Sequence, residues 1–431
     1  MKNNPSEGIQ TLTIISELCT GCMKCVRGCP VEAMRFRDGL PFVKWEKCIH
    51  CGECIKACDA IQPLTTSFLE LSRFKYTIAI PSPAFVGQFE KHITPSHTFF
   101  ALKSFGFDDV VNLAPFCSAY FKAVKFIVAE SDIPKPVISS MCPVVVSLIQ
   151  TKYPSLIEHL LPIMPPRQLA AKQVIDSLVK DGVYKKEEIG VIYITPCISK
   201  MIEVKEFSEE SYIHGAIAIK HIYNEILKKI KPSEKMDIGN SLYGFRQAVA
   251  GGLNDIIGEE NVLVVSGIKN LKKVFDDIEM GKVRKISFVD TYACSEGCIG
   301  GTLTVDDVYI ARQKILSLFS KREPDEEEEK LVEIYLKNRF NPVKRCGTKK
   351  REKSLSLGVK LVTMKDELLK NLPKIDCGLC GAPTCEAFAE DVIEGEADEK
   401  DCIFNMIKYK EIKAEEFLLR WKKRGGKDEA E

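Results

Sequence analysis

Short runs of β-branched and apolar residues alternate with segments of helical periodicity between residues 75 and 320. The runs read YTIAI, DVVNLA, KPVISS, IGVIYIT, NVLVVSG and KISFVD. Strands that alternate with helices predict a mostly parallel sheet covered by helices on both faces. In such sheets ligands bind just beyond the carboxyl ends of the strands. The middle of the chain is therefore predicted to be an α/β domain with its site at that edge.

Composition argues against several classes of partner. The chain has 431 residues, enough for two or three domains with separate cores. Its 61 basic residues nearly balance 60 acidic ones, so charge favours neither nucleic acid nor an anionic membrane. The polar start MKNNPSEG is not followed by an apolar segment of signal-peptide length, and no apolar run approaches the roughly 18 residues of a membrane span. We expect a cytoplasmic protein with no nucleic-acid or membrane partner.

Cysteine usage points to metal chemistry. The chain has 18 cysteines, and cytosolic thiols are kept reduced, so metal ligation is expected rather than disulfides. The runs CTGCMKCVRGCP and CIHCGECIKAC both fit C-x2-C-x2-C-x3-C, which lets three thiolates on a tight loop hold three corners of a 4Fe-4S cluster. Zinc is the alternative, and two adjacent runs of this form disfavour it.

In such runs the fourth cysteine normally ligates the other cluster. The predicted ligand sets are Cys19, Cys22, Cys25 and Cys58 for the first cluster, and Cys29, Cys48, Cys51 and Cys54 for the second. Residues 15–65 thus resemble a bacterial two-cluster ferredoxin.

A third cysteine group lies near the end of the chain, in DCGLCGAPTCEAFAEDVIEG and the residues that follow. Its members are Cys377, Cys380, Cys385 and Cys402. The group resembles the small single-cluster 4Fe-4S domain of several electron-transfer and corrinoid proteins. Gly378 and Gly381 free the backbone to fold around a cluster. A zinc ribbon is the alternative, because the 16-residue gap before the last cysteine also suits zinc. The remaining Cys346 belongs to no motif.

Four more cysteines follow predicted strands in the middle of the chain. They are Cys142 after KPVISSM, Cys197 after VIYITP, and Cys294 and Cys298 in the segment after ISFVDTYA. Three strand ends are therefore expected to bring four thiols to one crevice. The alternative is that each is a small buried core residue, which is common for free cysteine. Their position at strand ends, beside proline or glycine, favours a shared site.

The motifs around these cysteines resemble a known family. SSMCP, TPCISK and ACSEGCIGG, in this order and downstream of a two-cluster ferredoxin, are similar to the three signature loops of iron-only (FeFe) hydrogenases. The similarity extends to IPSPAFVGQF, ALKSFGFDDVVNL and DDVYIARQKIL, and so covers most of residues 70–320. The resemblance implies three domains: a two-cluster ferredoxin-like domain at 1–70, an α/β catalytic domain at 71–345, and a small helical 4Fe-4S domain with a C-terminal helix at 346–431.

The resemblance also implies a composite cofactor, the H-cluster. In that family a 4Fe-4S cluster is joined through one cysteine to a two-iron unit that carries carbon monoxide, cyanide and a bridging azadithiolate. By position, the cluster ligands are Cys142, Cys197, Cys294 and Cys298, with Cys298 as the bridge.

Three further residues match positions around the cyanides. Lys200 corresponds to the lysine that binds one cyanide, and an ammonium donates strong charge-assisted hydrogen bonds to a buried anion. Without the motif, a surface lysine would be the simpler interpretation. Pro81 and Ser82 correspond to the segment that donates to the other cyanide, although a strand-ending turn explains them almost as well.

The chain departs from the family at the proton relay. Met141 stands where efficient members have a second cysteine, and a thioether has no dissociable proton. Cys117, Ser118 and Phe121 stand where relay carboxylates are expected. Cys117 is either a relay by another route or a packed core thiol, and the second interpretation is favoured.

Two methionines that usually pack around the two-iron unit are replaced by Thr195 and Tyr292, which changes the polarity around the cofactor. These departures, together with the rear cluster domain, resemble the sensory branches of the family, and specifically the branch without a PAS domain, group D.

The leading hypothesis is a cytoplasmic hydrogenase of low turnover that interconverts H2 with protons and electrons. It would exchange electrons with a redox protein such as ferredoxin and would depend on hydrogenase maturation proteins. One alternative is a sensor of H2 or redox state that reports to a signalling partner. Another is a hydrogenase-like iron-sulfur protein without the two-iron unit, against which Lys200 argues.

Overall fold

A computed structural model describes residues 11–129, 132–206, 211–258, 261–320, 326–338, 340–342 and 355–408. The chain forms two compact units, Met1–Leu64 with Thr348–Glu431, and Thr65–Gly347. The first unit thus combines the two cysteine-rich ends, which the sequence placed in separate segments. The predicted boundary between residues 345 and 346, and Cys346 itself, lie outside the described residues.

The elements are numbered along the chain. The strands are β1 (Leu12–Ile14), β2 (Met34–Arg37), β3 (Leu40–Val43), β4 (Ile61–Pro63), β5 (Tyr76–Pro81), β6 (Asp109–Val110), β7 (Val137–Ile138), β8 (Ile189–Thr195), β9 (Gly215–Ala218), β10 (Val262–Ser266) and β11 (Phe288–Tyr292). The first eight helices are α1 (Lys24–Arg27), α2 (Glu53–Ala57), α3 (Phe68–Leu71), α4 (Pro95–Phe105), α5 (Ala114–Ala129), α6 (Pro143–Lys152), α7 (Pro166–Lys180) and α8 (Ile198–Glu206). The others are α9 (Ile219–Lys229), α10 (Asn254–Ile257), α11 (Ile268–Glu279), α12 (Val308–Leu318), α13 (Glu326–Lys337), α14 (Leu355–Asn371), α15 (Cys385–Ile393) and α16 (Ile403–Lys408).

Two antiparallel ribbons frame the front half of the first unit. Strand β1 pairs with β4, and β2 pairs with β3. Between them the two cysteine runs repeat the same backbone turn. In each run, the second and fourth residues after the first cysteine have positive φ, at Gly21 and Met23 in the first run and at His50 and Gly52 in the second. Each run places one glycine at such a position, where a side chain would cost energy. A short helix follows each turn, so the sequence repeat is also a structural repeat.

The second unit contains two parallel sheets, as the alternating pattern predicts. One has the order β6-β5-β8-β9 and the other β10-β11-β7, with every pairing parallel. All seven residues of β8 are buried, which is expected for a parallel strand covered on both faces. The predicted α/β class with mostly parallel sheets is confirmed. The sequence did not predict β9, because its four residues GAIA are too short to show a period.

The main apolar core of this unit packs against the four-stranded sheet. It includes Phe85, Phe89, Phe99, Phe245 and Ile315, all at most 1% exposed. These side chains come from segments that follow the strands, so the core fixes the loops at the carboxyl ends. Within the described residues, no helix is both long and apolar enough to cross a membrane.

Candidate functional site

The site of the second unit lies at the carboxyl ends of its parallel strands. Pro81 ends β5 and Thr195 ends β8, with Cys197 two residues later. Tyr292 ends β11, and Cys294 likewise follows two residues later. Since the strands within each sheet are parallel, the loops that follow them lie at the carboxyl-end edge of that sheet.

The structure brings the four predicted cluster cysteines together. Cys197 interacts electrostatically with Cys142 and Cys298. The Ala293 N–H donates to the sulfur of Cys142, which places the adjacent Cys294 at the same point. Burial raises the pKa of both the Cys142 and the Cys197 thiol. Four half-buried thiols from distant parts of the chain thus meet at one position, a donor set that suits a 4Fe-4S cluster.

Glycines let the loop of Cys298 pack closely against the loop of Cys197. A Cβ added at Gly301 would lie only 2.3 Å from the Pro196 carbonyl oxygen, next to Cys197 in sequence. The Leu303 N–H also donates to that oxygen, at 2.9 Å. Gly297 has φ +103°, and an added Cβ there would lie 2.5 Å from the Ala248 oxygen. The GCIGG motif therefore has a packing reason, because larger residues would push the loop of Cys298 away from that of Cys197.

Lys200 is a buried cation at this position. It lies in the first turn of α8, is 5% exposed, and its Nζ is 3.4 Å from the Cys298 sulfur. Burial by itself lowers the pKa of Lys200, but negative charge on Cys298, Tyr193 and Cys197 raises it above the usual value. A buried ammonium beside a ligand sulfur fits an anionic cofactor, since a buried charge requires a partner. The surface-lysine alternative is therefore wrong for Lys200.

Met141 is buried and hydrogen-bonded. Its sulfur accepts from Gln247 Nε2 at 2.8 Å, and its carbonyl accepts from Arg167 Nη1 at 3.4 Å. Gln247 and Arg167 are themselves 4% and 3% exposed. Neither belongs to a motif, so sequence reasoning missed both. Their only signal was the presence of polar residues in otherwise apolar segments.

The first turns of α5 lie beside the same site. Cys117 is 1% exposed and interacts electrostatically with Lys200 and Cys298. Burial raises the pKa of Cys117, and the Lys200 charge offsets this in part. Ser118 Oγ is buried without a hydrogen-bond partner among the described residues, and Phe121 is fully buried. The positions where carboxylates are expected are thus close to the cysteine site, but none of them has an acidic side chain.

Thr195 and Tyr292 have distinct partners. The Thr195 hydroxyl donates to the Cys197 carbonyl at 2.9 Å and accepts from the Cys197 N–H at 3.2 Å, which fixes that ligand loop. The Tyr292 hydroxyl donates to the Gln247 carbonyl at 3.4 Å. On the other predicted contact segment, Ser82 is fully buried and its Oγ accepts from the Ala84 N–H at 3.3 Å.

A buried carboxylate near Tyr292 was not predicted. Asp290 is 1% exposed, and its Oδ2 has no hydrogen-bond partner among the described residues. Burial raises the pKa of Asp290 to about 7, although interactions with the Tyr292 side chain and the Gly251 backbone oppose the shift. Its position in the middle of a strand gave no sequence signal.

In the first unit, the front cysteines group as the two predicted ligand sets. Cys25 interacts with Cys58, Cys19 and Cys22, whereas Cys29 interacts with Cys48, Cys51 and Cys54, and Cys54 also interacts more weakly with Cys25. Burial raises the pKa of Cys25 to about 11 and that of Cys48 to about 12. Backbone N–H groups donate to ligand sulfurs, from Ala33 to Cys29 at 3.2 Å and from His50 to Cys48 at 3.4 Å. Such donors suit thiolates in a cluster.

The rear cysteines also converge. Cys377, Cys380, Cys385 and Cys402 line one cavity. Burial raises the pKa of Cys380 to about 12, and the other three thiols add to the shift. The Asp376 carboxylate accepts from the Cys385 N–H at 2.7 Å, which holds the loop before α15. Four sulfurs around one cavity fit a single cluster.

Comparison with known families agrees with this organisation. The model described as iron only hydrogenase large subunit, C-terminal domain, matches residues 75–240 and 215–302. A 4Fe-4S dicluster domain matches residues 11–59, and the FeS cluster family matches residues 372–404. The hydrogenase match covers more than half of the chain, which therefore belongs to the iron-only hydrogenase large-subunit family. The sequence-based prediction of this family is confirmed.

Individual relatives match over short segments. The chain is 42% identical over 40 residues to a component of an ion-translocating oxidoreductase complex of Methanosarcina acetivorans, covering 9% of this chain and 15% of that protein. It is 45% identical over 42 residues to an uncharacterized ferredoxin of Methanocaldococcus jannaschii, covering 9% and 28%. The chain thus spans less than a third of either relative.

Two solved structures are similar to part of the chain. An FeFe-hydrogenase studied for oxygen inactivation has a TM-score of 0.48 at 16% identity, covering 62% of this chain and 91% of that one. FeFe-hydrogenase HydA1 of Chlamydomonas reinhardtii has a TM-score of 0.47 at 16% identity, covering 61% and 89%.

Proposed function

We propose that this chain is an iron-only hydrogenase that interconverts H2 with two protons and two electrons. The observation that supports this most directly is the buried Lys200 ammonium, 3.4 Å from the Cys298 sulfur, at the point where four cysteines converge. A 4Fe-4S cluster alone does not require a buried cation at this position. An ammonium has three N–H donors, and a neighbouring group with anionic ligands would accept charge-assisted hydrogen bonds beyond the one contact that Lys200 makes with the Cys298 sulfur.

The proposed cofactor is the H-cluster. Cys142, Cys197, Cys294 and Cys298 would hold its 4Fe-4S part, and Cys298 would bridge to a two-iron unit with carbon monoxide, cyanide and azadithiolate. When bound, the two-iron unit supplies the chemistry of H2 formation and cleavage. Lys200 would bind and orient one cyanide, while the segment at Pro81 and Ser82 would bind the other.

The residues around this site make proton delivery slow. Met141 accepts a hydrogen bond from Gln247, and neither side chain releases a proton near neutral pH. Phe121 and Ser118 provide no carboxylate. Since positioned proton transfer typically contributes about 10²- to 10⁴-fold, we expect turnover reduced by a factor in that range. Cys117 on α5 has a dissociable proton, and its raised pKa makes it a weak acid.

Electrons would pass through three further clusters, two at the front and one at the rear of the chain. A small redox protein such as ferredoxin would supply or accept them in the cytoplasm. The two-iron unit would be delivered by hydrogenase maturation proteins. We place the chain in group D, the sensory branch of the family without a PAS domain.

A second role is favoured by Met141 and Phe121, which occupy the proton-relay positions without a dissociable proton. If Met141 and Phe121 prevent fast turnover, the same site would serve as a sensor of H2 or redox state that reports to a signalling partner. A change in partner binding between hydrogen-treated and oxidised protein would support this role. Equal binding in both states to candidate partners would count against it.

Infrared spectroscopy of anaerobically matured protein tests the primary proposal. Metal-bound carbonyl and cyanide bands that shift under H2 are expected, with about 18 irons per chain. Protein with full 4Fe-4S clusters, about 16 irons, and no such bands after exposure to a two-iron precursor would overturn it. The site would then hold an electron-transfer cluster only.

A further inference from the structure

The rear cysteine loop contacts the first front cysteine run inside the first unit. Arg27 Nη2 donates to the Cys377 carbonyl at 3.1 Å. A Cβ added at Gly378 would lie 3.6 Å from Arg27 Nε and 3.7 Å from Met23 Cε. Met23 and Arg27 flank Cys25 in sequence, two residues away on either side. The rear loop therefore meets the front run at the cysteine whose thiol groups with Cys19, Cys22 and Cys58.

The contact continues through the backbone of β2. The Phe36 N–H donates to the Gly381 carbonyl at 2.8 Å. Gly381 has φ +87°, and an added Cβ would lie 1.9 Å from the Phe36 oxygen. No side chain fits at that distance, so the glycine permits a direct approach of the two backbones. Gly381 follows Cys380 directly, so this bond fixes a rear ligand relative to the front ribbon.

A buried ion network completes the contact. The Asp391 carboxylate, on α15, is fully buried and binds Arg35 Nε at 2.6 Å and Lys44 Nζ at 2.7 Å. Arg37 Nη2 lies 2.8 Å from the same carboxylate, and Lys44 also binds Glu394 at 2.9 Å. Burial alone would raise the pKa of Asp391, but Arg35 and Lys44 lower it. The cations lie on or next to β2 and β3, and the carboxylates in the rear segment.

This network has a positional role rather than a metal-binding one. The carboxylates of Asp391, Glu394 and Glu396 lie close together, but the cations of Arg35 and Lys44 already neutralise the buried one. Buried ion pairs contribute little net stability compared with apolar residues, yet they tolerate few alternative geometries. Asp391 is thus a positioning residue that holds the rear cluster loop in one orientation.

We propose that the rear cluster exchanges electrons directly with the front cluster of Cys19, Cys22, Cys25 and Cys58. The three clusters of this unit then form one electron-transfer chain, in the order rear, first front, second front. With both clusters bound, one electron would pass from the reduced rear cluster to the oxidised first front cluster, with no bond or proton moving, while Arg27 and Gly381 hold the two ligand loops in contact. An external redox protein of the ferredoxin class supplies the electron. The inference rests on the iron-sulfur clusters of the proposed function, but not on its H2 chemistry.

Electron paramagnetic resonance of the full chain, with its clusters and reduced anaerobically by dithionite, tests the proposal. In the unsubstituted protein we expect splitting of the reduced front-cluster signal and relaxation faster than in an isolated cluster. Cys380→Ser removes a rear ligand, and the part of the splitting and fast relaxation that the rear cluster contributes is expected to disappear, leaving the coupling between the two front clusters. Signals that keep their shape and relaxation after the rear cluster is lost would overturn the proposal.

Two variants separate the position of the rear cluster from its presence. Arg27→Gln and Asp391→Asn are expected to keep the rear cluster but weaken the splitting and shift its reduction potential. Glu367→Gln, an exposed carboxylate on α14, is the matched control and should change neither. If Asp391→Asn also loses rear iron, Arg27→Gln reports the effect of position, and unchanged front-cluster signals in Cys380→Ser remain the result that contradicts direct exchange. Since no H2 assay is involved, a failure of the hydrogenase proposal is distinguishable from a failure of this one.

Discussion

The side-chain amide of Gln247 donates a hydrogen bond to the sulfur of Met141, with 2.8 Å between nitrogen and sulfur. Both residues are buried, and Met141 directly precedes the cluster ligand Cys142. An amide and a thioether are both unable to exchange a proton near neutral pH. The hydrogen bond between Gln247 and Met141 therefore fixes the side chain next to the ligand Cys142, but it provides no proton relay.

Replacing this methionine should restore a relay. Met141→Cys introduces a dissociable proton, and we expect H2 evolution to rise by at least about tenfold, within the range of positioned acid-base catalysis. Met141→Leu is the matched control, because it removes the sulfur without adding a proton. The rates are compared at equal infrared intensity of the cofactor. Equal rates in the two variants would show that the missing proton is not the limitation.

Lys200 should be required for the two-iron unit but not for the clusters. Lys200→Met removes the ammonium near Cys298 while keeping most of the side-chain volume. We expect loss of the carbonyl and cyanide bands and about two irons fewer per chain, because the anionic ligands lose their charged donor. Lys200→Arg keeps the charge and should retain part of the bands. Full cofactor content in Lys200→Met would argue against a cyanide-binding role.

Asp290 should make stability depend on pH. Its folded pKa of about 7 lies above the ordinary value of 3.8, so folding favours the protonated form. The full stability is thus present below about pH 4 and is lost as pH rises towards 7 and above. Between pH 5 and pH 8 we expect the free energy of unfolding to fall by roughly 3 kcal/mol relative to Asp290→Asn.

Circular dichroism in urea at the two pH values measures this difference. Asp237→Asn, an exposed carboxylate of the same unit, should follow the unsubstituted protein at both. If the free energy of unfolding depends on pH in the same way for Asp290→Asn and the unsubstituted protein, ionisation of Asp290 does not destabilise the folded state.

Asp391 should be among the most sensitive positions of the first unit. Asp391→Ala leaves Arg35 and Lys44 buried without their carboxylate, and unpaired buried charges typically cost about 3–5 kcal/mol. Glu394→Ala removes a more exposed partner of Lys44 and should cost under about 1 kcal/mol. Chemical unfolding under anaerobic conditions compares the two. A similar small loss for both would show that water replaces the Asp391 carboxylate.

Much of this organisation is encoded locally in the sequence. The spacing of Cys19, Cys22 and Cys25 predicts their grouping because the loop itself brings three sulfurs together. Strand runs such as IGVIYIT are equally local, since burial on both faces leaves a continuous apolar segment. The convergence of Cys142 and Cys294 could be anticipated because they follow β7 and β11, which are parallel neighbours in one sheet, whereas Cys197 follows β8 of the other sheet.

The remainder depends on contacts between distant residues that no local pattern records. Gln247 and Arg167 reach Met141 from other elements, and single polar residues occur in many apolar segments. Asp290 lies within a buried strand, and the sequence pattern of that strand does not indicate a buried carboxyl group. Arg35 lies in the short strand MRFR, and its buried partner Asp391 could not be named from the sequence.

The bond between Arg35 and Asp391 joins residues 356 positions apart. At roughly 5–20 residues per second, a ribosome reaches Asp391 about 20 to 70 s after it has made Arg35. During that interval the strand of Arg35 has neither its carboxylate nor the Gly381 backbone to complete it. The front iron-sulfur segment therefore reaches its complete set of contacts only after the rear segment has been synthesised.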